Sequence, residues 1–129
     1  MNNFFITFNQ QRYINVYESS TDNNYELYEK KEKDDMRYIY KQCIKKQTDT
    51  YELSGEDFEQ LWELFQRCHI YKLNSVYKCN EYYDITVKTT QHGIYNVRFD
   101  GDINGKCKCY KSLKLFIDCL KEIRSIESA

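Results

Sequence analysis

The stretch from Asp100 to Lys111, DGDINGKCKCYK, combines two aspartates, an Asn-Gly pair and a Cys-x-Cys. Its first half fits a calcium loop, with oxygen ligands at the first, third and fifth positions and a glycine at the sixth. The second half does not fit, because Lys111 stands where the loop needs a bidentate carboxylate. Asn-Gly between two strand-like runs is also a strong hairpin signal. The stretch is therefore predicted to be a connector rather than a calcium site.

The cysteines offer a second candidate chemistry, because Cys107 and Cys109 are adjacent enough to share a metal and Cys79 is an available third ligand. Structural zinc sites normally use pairs with two to four residues between the ligands, and no such pair occurs here. Side chains two residues apart on a strand point to the same side, so both sulfurs can instead lie against the core. No cofactor is predicted, and a small zinc-binding module built on these cysteines stays an alternative.

Nucleophilic catalysis needs a Cys or Ser beside a base, and the two histidines, His69 and His92, are the imidazole bases of the chain. His69 adjoins Cys68 on a predicted helix, where neighbouring side chains diverge by about 100°, and it is predicted to pack at the edge of that helix. His92 falls in a predicted hairpin turn. The sequence contains neither a G-x-x-x-x-G-K-[ST] phosphate loop nor a G-x-G-x-x-G motif. We therefore do not expect an enzyme.

The charge balance disfavours partners that are attracted by an overall electric field. Nineteen Lys and Arg against twenty Asp and Glu give a net charge of -1, so no global field favours phosphate backbones or anionic lipid. The N-terminal MNNFFITFNQQ lacks the basic and long apolar segments of a secretion signal. Without such a signal, the six cysteines are predicted to be reduced thiols. We expect a cytoplasmic protein that does not bind membranes, with nucleic acid possible but not favoured as a partner.

Tyrosine is unusually frequent, with 13 in the chain. Because side chains alternate between the two faces of a strand, MRYIYKQCI puts Tyr38 and Tyr40 opposite Ile39. The tyrosines of RYINVYE alternate with Ile14 and Val16 in the same way. One face of the sheet is therefore predicted to be aliphatic and covered by helices. The other is predicted to expose tyrosines interleaved with Arg and Lys.

These residues must be positioned by strands in the first half of the chain. Clusters of aromatic and β-branched residues, separated by short polar turns, predict the strands. They are Phe4–Phe8, Arg12–Glu18, Tyr25–Lys30 and Met36–Lys45.

Helical spacing begins at LSGEDFEQLWELFQRCHI, where Ser54 is a good N-cap and Phe58 and Phe65 share an apolar face. Asp84–Thr90 and Ile94–Phe99 flank the turn residues QHG and predict a hairpin. SLKLFIDCLKEIRSI then predicts a second amphipathic helix, capped by Ser112.

A single α+β domain over residues 1–129 accounts for this pattern. We expect an antiparallel sheet or sheets of about five to seven strands with two amphipathic helices, in the order β-β-β-β-α-(β)-β-β-β-α. The bracketed strand falls in the ambiguous segment Tyr71–Tyr83, and the last strand holds Cys107.

The favoured function is a small intracellular, non-enzymatic factor that docks on another protein, because tyrosine supplies rigid contact area and a polar group. Compact α+β inhibitors from phages and mobile elements have this general build, an analogy at the level of fold alone. They include anti-CRISPR-like anti-defence proteins and toxin-immunity proteins. A single-stranded nucleic-acid-binding protein that uses a tyrosine and basic sheet face is the alternative.

Two surfaces are candidates for the contact with a partner. The first consists of strand tyrosines and neighbouring charges: Arg37, Tyr38, Tyr40 and Lys41. The second is the acidic flank of the first helix: Glu56, Glu59 and Glu63.

Overall fold

The computed structural model describes residues 11–76, 79–101 and 108–128. Its strands are β1 (Tyr13–Glu18), β2 (Asn23–Glu32), β3 (Asp35–Ile44), β4 (Gln47–Leu53), β5 (Tyr82–Thr89) and β6 (Gly93–Asp100). Its helices are α1 (Gly55–Gln66) and α2 (Lys108–Ser128), with a 3-10 turn at Ile70–Lys72.

The six described strands form one antiparallel sheet in the order β4-β3-β2-β1-β5-β6. Along the chain the elements follow the order β-β-β-β-α-β-β-α. The predicted α+β class, an antiparallel sheet with two helices, is therefore confirmed. None of the described helices is long and apolar enough to cross a membrane.

Both helices pack on the same side of the sheet, which we call the covered face. The ring of Tyr38 contacts Phe58 of α1, and the hydroxyl of Tyr40 donates to the carbonyl oxygen of Leu120 in α2. Aliphatic residues of the central strands, among them Ile14 and Val16, fill the space between the sheet and the helices. Alternation leaves the opposite side of the same strands, which we call the open face, without a described helix.

The start of α1 follows the prediction. The Oγ of Ser54 accepts a hydrogen bond from the backbone N–H of Asp57 at 3.1 Å, which satisfies one of the free amides of the first turn. Phe58, Trp62 and Phe65 are the buried residues of the helix. The predicted β5–β6 hairpin is also confirmed, and Gly93 takes the positive φ of 65° that its turn requires.

Strand β4 was not predicted. Lys45 and Lys46 form the turn before it, and both have a positive φ, 53° and 66°. A two-residue hairpin turn of this kind normally uses Asn-Gly, because lysine pays a steric cost in the left-handed region. The sequence Lys-Lys therefore gave no turn signal, and the polar run QTDTYEL gave only a weak strand signal.

The last helix begins earlier than predicted. Ser112 lies inside α2, which starts at Lys108, so Ser112 is not its N-cap. Cys109 is helical rather than part of a strand, because the last helix breaker before it is Gly105 and the residues after Gly105 can all continue a helix. Cys107 and the Asn-Gly pair of the calcium-like loop lie outside the described residues.

The other corrections concern short strands. Ile70–Lys72 is a 3-10 turn, closed by hydrogen bonds such as that from the Lys72 N–H to the His69 carbonyl oxygen at 3.0 Å. The further strand considered for Tyr71–Tyr83 is absent from the described part of that segment before Tyr82, where β5 begins. The strand predicted at Phe4–Phe8 lies outside the described residues.

Candidate functional site

The four residues predicted as a strand contact surface do not share one face. Arg37 and Lys41 lie on the open face, whereas Tyr38 and Tyr40 point toward the helices. Tyr40 is 0% exposed. Burial raises the pKa of the Tyr40 hydroxyl above its ordinary value, and Tyr25 adds to the shift. The prediction that Tyr38 and Tyr40 form an exposed pair is therefore wrong.

The physical reason for this error lies in the charges of β3. One alternating set of that strand contains Arg37, Ile39 and Lys41, and the other contains Tyr38 and Tyr40 without any charged side chain. Burying two cations costs more free energy than burying one isoleucine contributes. The charged set therefore lies on the open face, where Ile39 between the two cations is only 8% exposed, and the tyrosines turn inward.

Strand β1 behaves as predicted, because Ile14 and Val16 are buried while Tyr13 and Tyr17 are half-buried on the open face. Its tyrosines begin two aromatic pairs that run across the sheet. In the first pair, Tyr13 lies directly opposite Tyr28 of β2, with ring centroids 5.9 Å apart.

The first pair is flanked by lysines on both sides. The Nζ of Lys88 lies 4.9 Å from the ring centroid of Tyr13, and the Nζ of Lys41 lies 5.8 Å from that of Tyr28. These distances are within the range of cation–π attraction. The hydroxyl of Tyr13 donates to the carboxylate of Glu26. Burial, followed by this hydrogen bond, raises the pKa of Tyr13.

The second pair lies further along β1, where the ring of Tyr17 is 6.3 Å from that of Tyr82. The guanidinium carbon of Arg98 stands 3.7 Å from the centroid of Tyr82. Arg98 also donates two hydrogen bonds to Asp84, at 2.8 and 3.0 Å. We refer to Tyr13, Tyr17, Tyr28 and Tyr82 together as the open-face tyrosines.

The arginines of the open face are neutralised by carboxylates. Arg37 donates to Glu52 at 2.6 and 3.1 Å and to Glu32 at 3.1 Å. These hydrogen bonds lower the pKa of both carboxyl groups. Because Arg98 is bound to Asp84 in the same way, both described arginines of the open face are paired with carboxylates.

The acidic flank of α1 is less free than its sequence indicates. Glu59 binds the guanidinium of Arg12, with one contact at 3.0 Å, and Glu63 forms an ion pair with Arg67 at 3.1 Å. Glu56 is exposed in the first turn, where its charge suits the helix dipole. Two of the three carboxylates are thus partly engaged within the chain, and the flank stays an untested alternative surface.

Arg12 joins the sheet to α1 and was not singled out from the sequence. Its guanidinium lies 4.9 Å from the ring centroid of Phe58 and 5.1 Å from that of Trp62. It donates two side-chain hydrogen bonds, both 2.9 Å long, to Glu29. The hydrogen bond to Glu29 is the main cause that raises the pKa of Arg12, and burial opposes it. No local motif marks these contacts, because their partners are distant in sequence.

A cleft of about 550 Å³ lies between the end of α1, the 3-10 turn and the β5–β6 turn. Both histidines of the chain line it. His69 is exposed and has a φ of 50°, so the prediction that it packs against its helix is wrong. His92 lies in the hairpin turn, as predicted, and its ring stacks on Tyr71 with centroids 3.7 Å apart. The chain reversal after α1 brings the two turns together.

The candidate metal ligands are described only in part. Cys79 is half-buried, Cys109 belongs to α2, and Cys107 lies outside the described residues. Among the residues that are described, no three His, Cys, Asp or Glu side chains are placed to hold a metal ion. Cys68 is buried, and its Sγ lies 3.8 Å from the carbonyl oxygen of Leu64. The zinc alternative stays an untested prediction.

No protein-family model matches the chain, and neither a curated protein nor a solved structure matches it. What the molecule does is therefore inferred from the open face itself.

Proposed function

We propose that this chain is a non-enzymatic protein-binding factor that docks on its partner through the open face. The observation that supports this most is the two aromatic pairs formed by the open-face tyrosines, on a sheet surface that bears no described helix. Tyrosine is enriched at protein interfaces because one side chain combines large apolar contact area with a hydroxyl.

The rings of the open face are held in place before any partner arrives. Tyr13 is fixed by Tyr28, Lys88 and the hydrogen bond to Glu26. The hydroxyl of Tyr17 donates to Asp22 at 2.7 Å. Side chains that are already ordered lose less conformational entropy on binding. This arrangement therefore favours a preformed docking surface rather than one that orders on contact.

The charges of the open face favour a protein over nucleic acid. Single strands bind where bases stack on aromatic rings and unpaired cations follow the phosphates. Here Arg37 and Arg98 are already bound by carboxylates, and Glu26 lies between the two aromatic pairs. Lys41 and Lys88 are further cations of this face, and each lies beside a tyrosine ring. Those carboxylates would repel a phosphate backbone. An inhibitor of the anti-defence or toxin-immunity type, which needs only to dock, stays the expected kind of factor.

The test is a comparison of binding between the wild-type chain and the double variant Tyr28→Ala/Tyr82→Ala, which removes one ring from each aromatic pair. Affinity capture from the native source, with mass spectrometry of bound protein and nucleic acid, identifies the partner. Titration with the purified partner then measures the dissociation constant. We expect the double variant to bind about tenfold or more weakly, because central tyrosines are typical hot spots.

The matched control is Arg67→Ala, which alters an exposed ion pair on α1 and leaves the open face intact. It should bind like the wild type. Equal affinity of the double variant and the wild type would contradict the proposal. Recovery of nucleic acid, with an affinity that falls steeply as salt is raised, would favour the single-strand alternative instead.

A further inference from the structure

The two edges of the sheet differ in what lies beside them. At the β6 edge, the segment after the 3-10 turn runs alongside the strand and bonds to it. The N–H of Val76 donates to the carbonyl oxygen of Arg98 at 2.9 Å, and the N–H of Arg98 donates to the Oγ of Ser75 at 3.0 Å. The hydroxyl of Tyr95 also donates to the carbonyl oxygen of Leu73 at 3.2 Å. This edge is therefore covered around Arg98.

The β4 edge has no such cover among the described residues, where β3 is the strand that bonds to it. Ile44 and Gln47 flank the two-residue turn, so they form a hydrogen-bonded pair, and the bonded positions alternate from there along β4. The N–H and C=O groups of the intervening residues point away from β3. These residues are Thr48, Thr50 and Glu52, and all three are exposed.

A free edge of this kind is a template for another strand, and proteins commonly protect it with proline, lysine or a bulge. Strand β4, QTDTYEL, contains neither proline nor lysine. Its register with β3 is unbroken from Gln47 to Leu53, so it has no bulge. The strand is therefore regular and open to pairing along its whole length.

The sequence of β4 fits a second copy of itself in antiparallel orientation. When two copies are centred on Thr50, every residue of the strand has a partner, and Thr50 lies opposite Thr50, a favourable cross-strand pair. Asp49 then lies opposite Tyr51, and Glu52 lies opposite Thr48, so no like charges face each other. Registers centred on Asp49 or Tyr51 would leave one end of each strand unpaired. The first of them would also set two carboxylates against each other.

The charges beyond the ends of β4 are complementary as well. Lys45 and Lys46 are exposed in the turn before the strand, and neither forms an ion pair within the described part of the chain. In the register centred on Thr50, this turn lies level with Ser54 of the copy, just before the acidic first turn of α1. A two-fold axis repeats the contact at both ends, and opposite charges placed in this way favour one register over others.

We propose that the β4 edge is a self-association surface, on which a second copy of this chain adds its own β4 in antiparallel orientation. The two sheets continue into one another across a two-fold axis perpendicular to them. Because such an axis preserves the two sides of the sheet, the dimer presents the open-face tyrosines twice on one surface. The pairing itself uses none of these tyrosines, so it does not depend on the protein-docking proposal.

A cysteine placed at the axis tests the register. Thr50→Cys sets two thiols opposite each other with a Cα spacing of about 5.5 Å, which a disulfide can bridge. In oxidised glutathione we expect a disulfide-linked dimer in at least about tenfold greater yield than the native cysteines give in the wild type. The matched control is Glu52→Cys, which is also exposed. Its two copies lie roughly 13 Å apart along the strands, so it should not exceed the wild type.

Sedimentation equilibrium measures the association itself. The average mass of the wild type should rise with concentration from one chain to two, with a dissociation constant in the micromolar to millimolar range, because a single strand pair is a small interface. Thr50→Lys sets two cations opposite each other at the axis and should weaken the dimer about tenfold or more. Thr90→Lys makes the same exchange in the exposed β5–β6 turn and should leave the association unchanged. Circular dichroism of each variant checks that the fold is retained.

Three results would overturn the proposal. They are the mass of one chain at every concentration up to the millimolar range, equal disulfide yields from Thr50→Cys and Glu52→Cys, and an association that Thr50→Lys does not weaken. None of these measurements involves a partner protein. Failure of the edge pairing is therefore distinguishable from failure of the proposed function.

Discussion

Both faces of the sheet contain tyrosines, but those on the covered face belong to the core and those on the open face form a surface. On the covered face, Tyr40 is fully buried, and its hydroxyl donates to the Leu120 carbonyl oxygen at 2.6 Å. On the open face, Tyr28 is half-buried between a second tyrosine and the ammonium of Lys41. The difference shows that the neighbours in the alternating set, rather than the tyrosine itself, decide whether the ring belongs to the core or to a surface.

The largest expected difference in stability is between a tyrosine-to-alanine exchange on the covered face and the same exchange on the open face. Tyr40→Ala removes a buried ring together with its hydrogen bond to the Leu120 carbonyl oxygen, so it should lower the free energy of unfolding by about 3–5 kcal/mol. Tyr28→Ala loses only cross-strand contacts and should cost about 1 kcal/mol or less. Urea denaturation of both variants gives the two values. Equal losses would show that the faces do not differ as described.

An intermediate effect on stability is expected from the ion pair between Glu18, at the end of β1, and Lys121 of α2. Glu18 is buried, and it accepts hydrogen bonds from Lys121 at 2.7 Å, Thr21 at 2.8 Å and Tyr83 at 3.1 Å. Burial alone would raise the pKa of Glu18, but these hydrogen bonds outweigh it, and the pKa is lowered. Lys121→Met should therefore cost about 1–3 kcal/mol at neutral pH.

The pH dependence of this pair has a definite sign. Because the folded protein holds the pKa of Glu18 below its unfolded value of about 4.3, the stabilisation is complete above that pH. It is lost as the pH falls through the folded pKa. The gap in unfolding free energy between the wild type and Lys121→Met should therefore narrow below about pH 4. Lys114→Met, which alters an exposed pair with Asp118, serves as the control, and a gap that stays constant would contradict the assignment.

The smallest expected effect on stability comes from shortening one isoleucine on each face. Ile14 is 0% exposed on the covered face, whereas Ile94 is 73% exposed on the open face. Ile14→Val should cost about 0.5–1.5 kcal/mol because it removes a packed methylene group. Ile94→Val should change stability by less than about 0.5 kcal/mol. Thermal unfolding resolves the pair, and a larger loss at Ile94 would mean that the open face is covered by part of the chain.

Most of the fold could be predicted, because local sequence patterns determine most of its helices, strands and turns. The N-cap at Ser54 with its apolar stripe and the Gly93 turn are short-range signals, and both appear in the structure. Strand β4 could not be predicted, because Lys45 and Lys46 form a turn that neither residue favours.

The candidate site was harder to predict than the fold. Alternation separated the two sets of β3 correctly but did not say which set faces the helices. The signal that could have decided it is the pair of cations, Arg37 and Lys41, in the set with Ile39. The contact of Arg12 with Glu29 and Glu59, and the cleft that joins His69 to His92, depend on tertiary packing and leave no pattern in the sequence.

The strand order also has a consequence for how the chain folds. Four of the five neighbouring strand pairs are hairpins whose connections have two to four residues. The β1–β5 pair is the exception, since β1 meets β5 only after the chain has passed through three strands and α1, as in the pairing of Val16 with Ile85. Closing so long a loop costs entropy before any contact compensates it. The speed of folding is therefore set by the pairing of β1 with β5, while the β1–β4 meander and the β5–β6 hairpin form from local contacts.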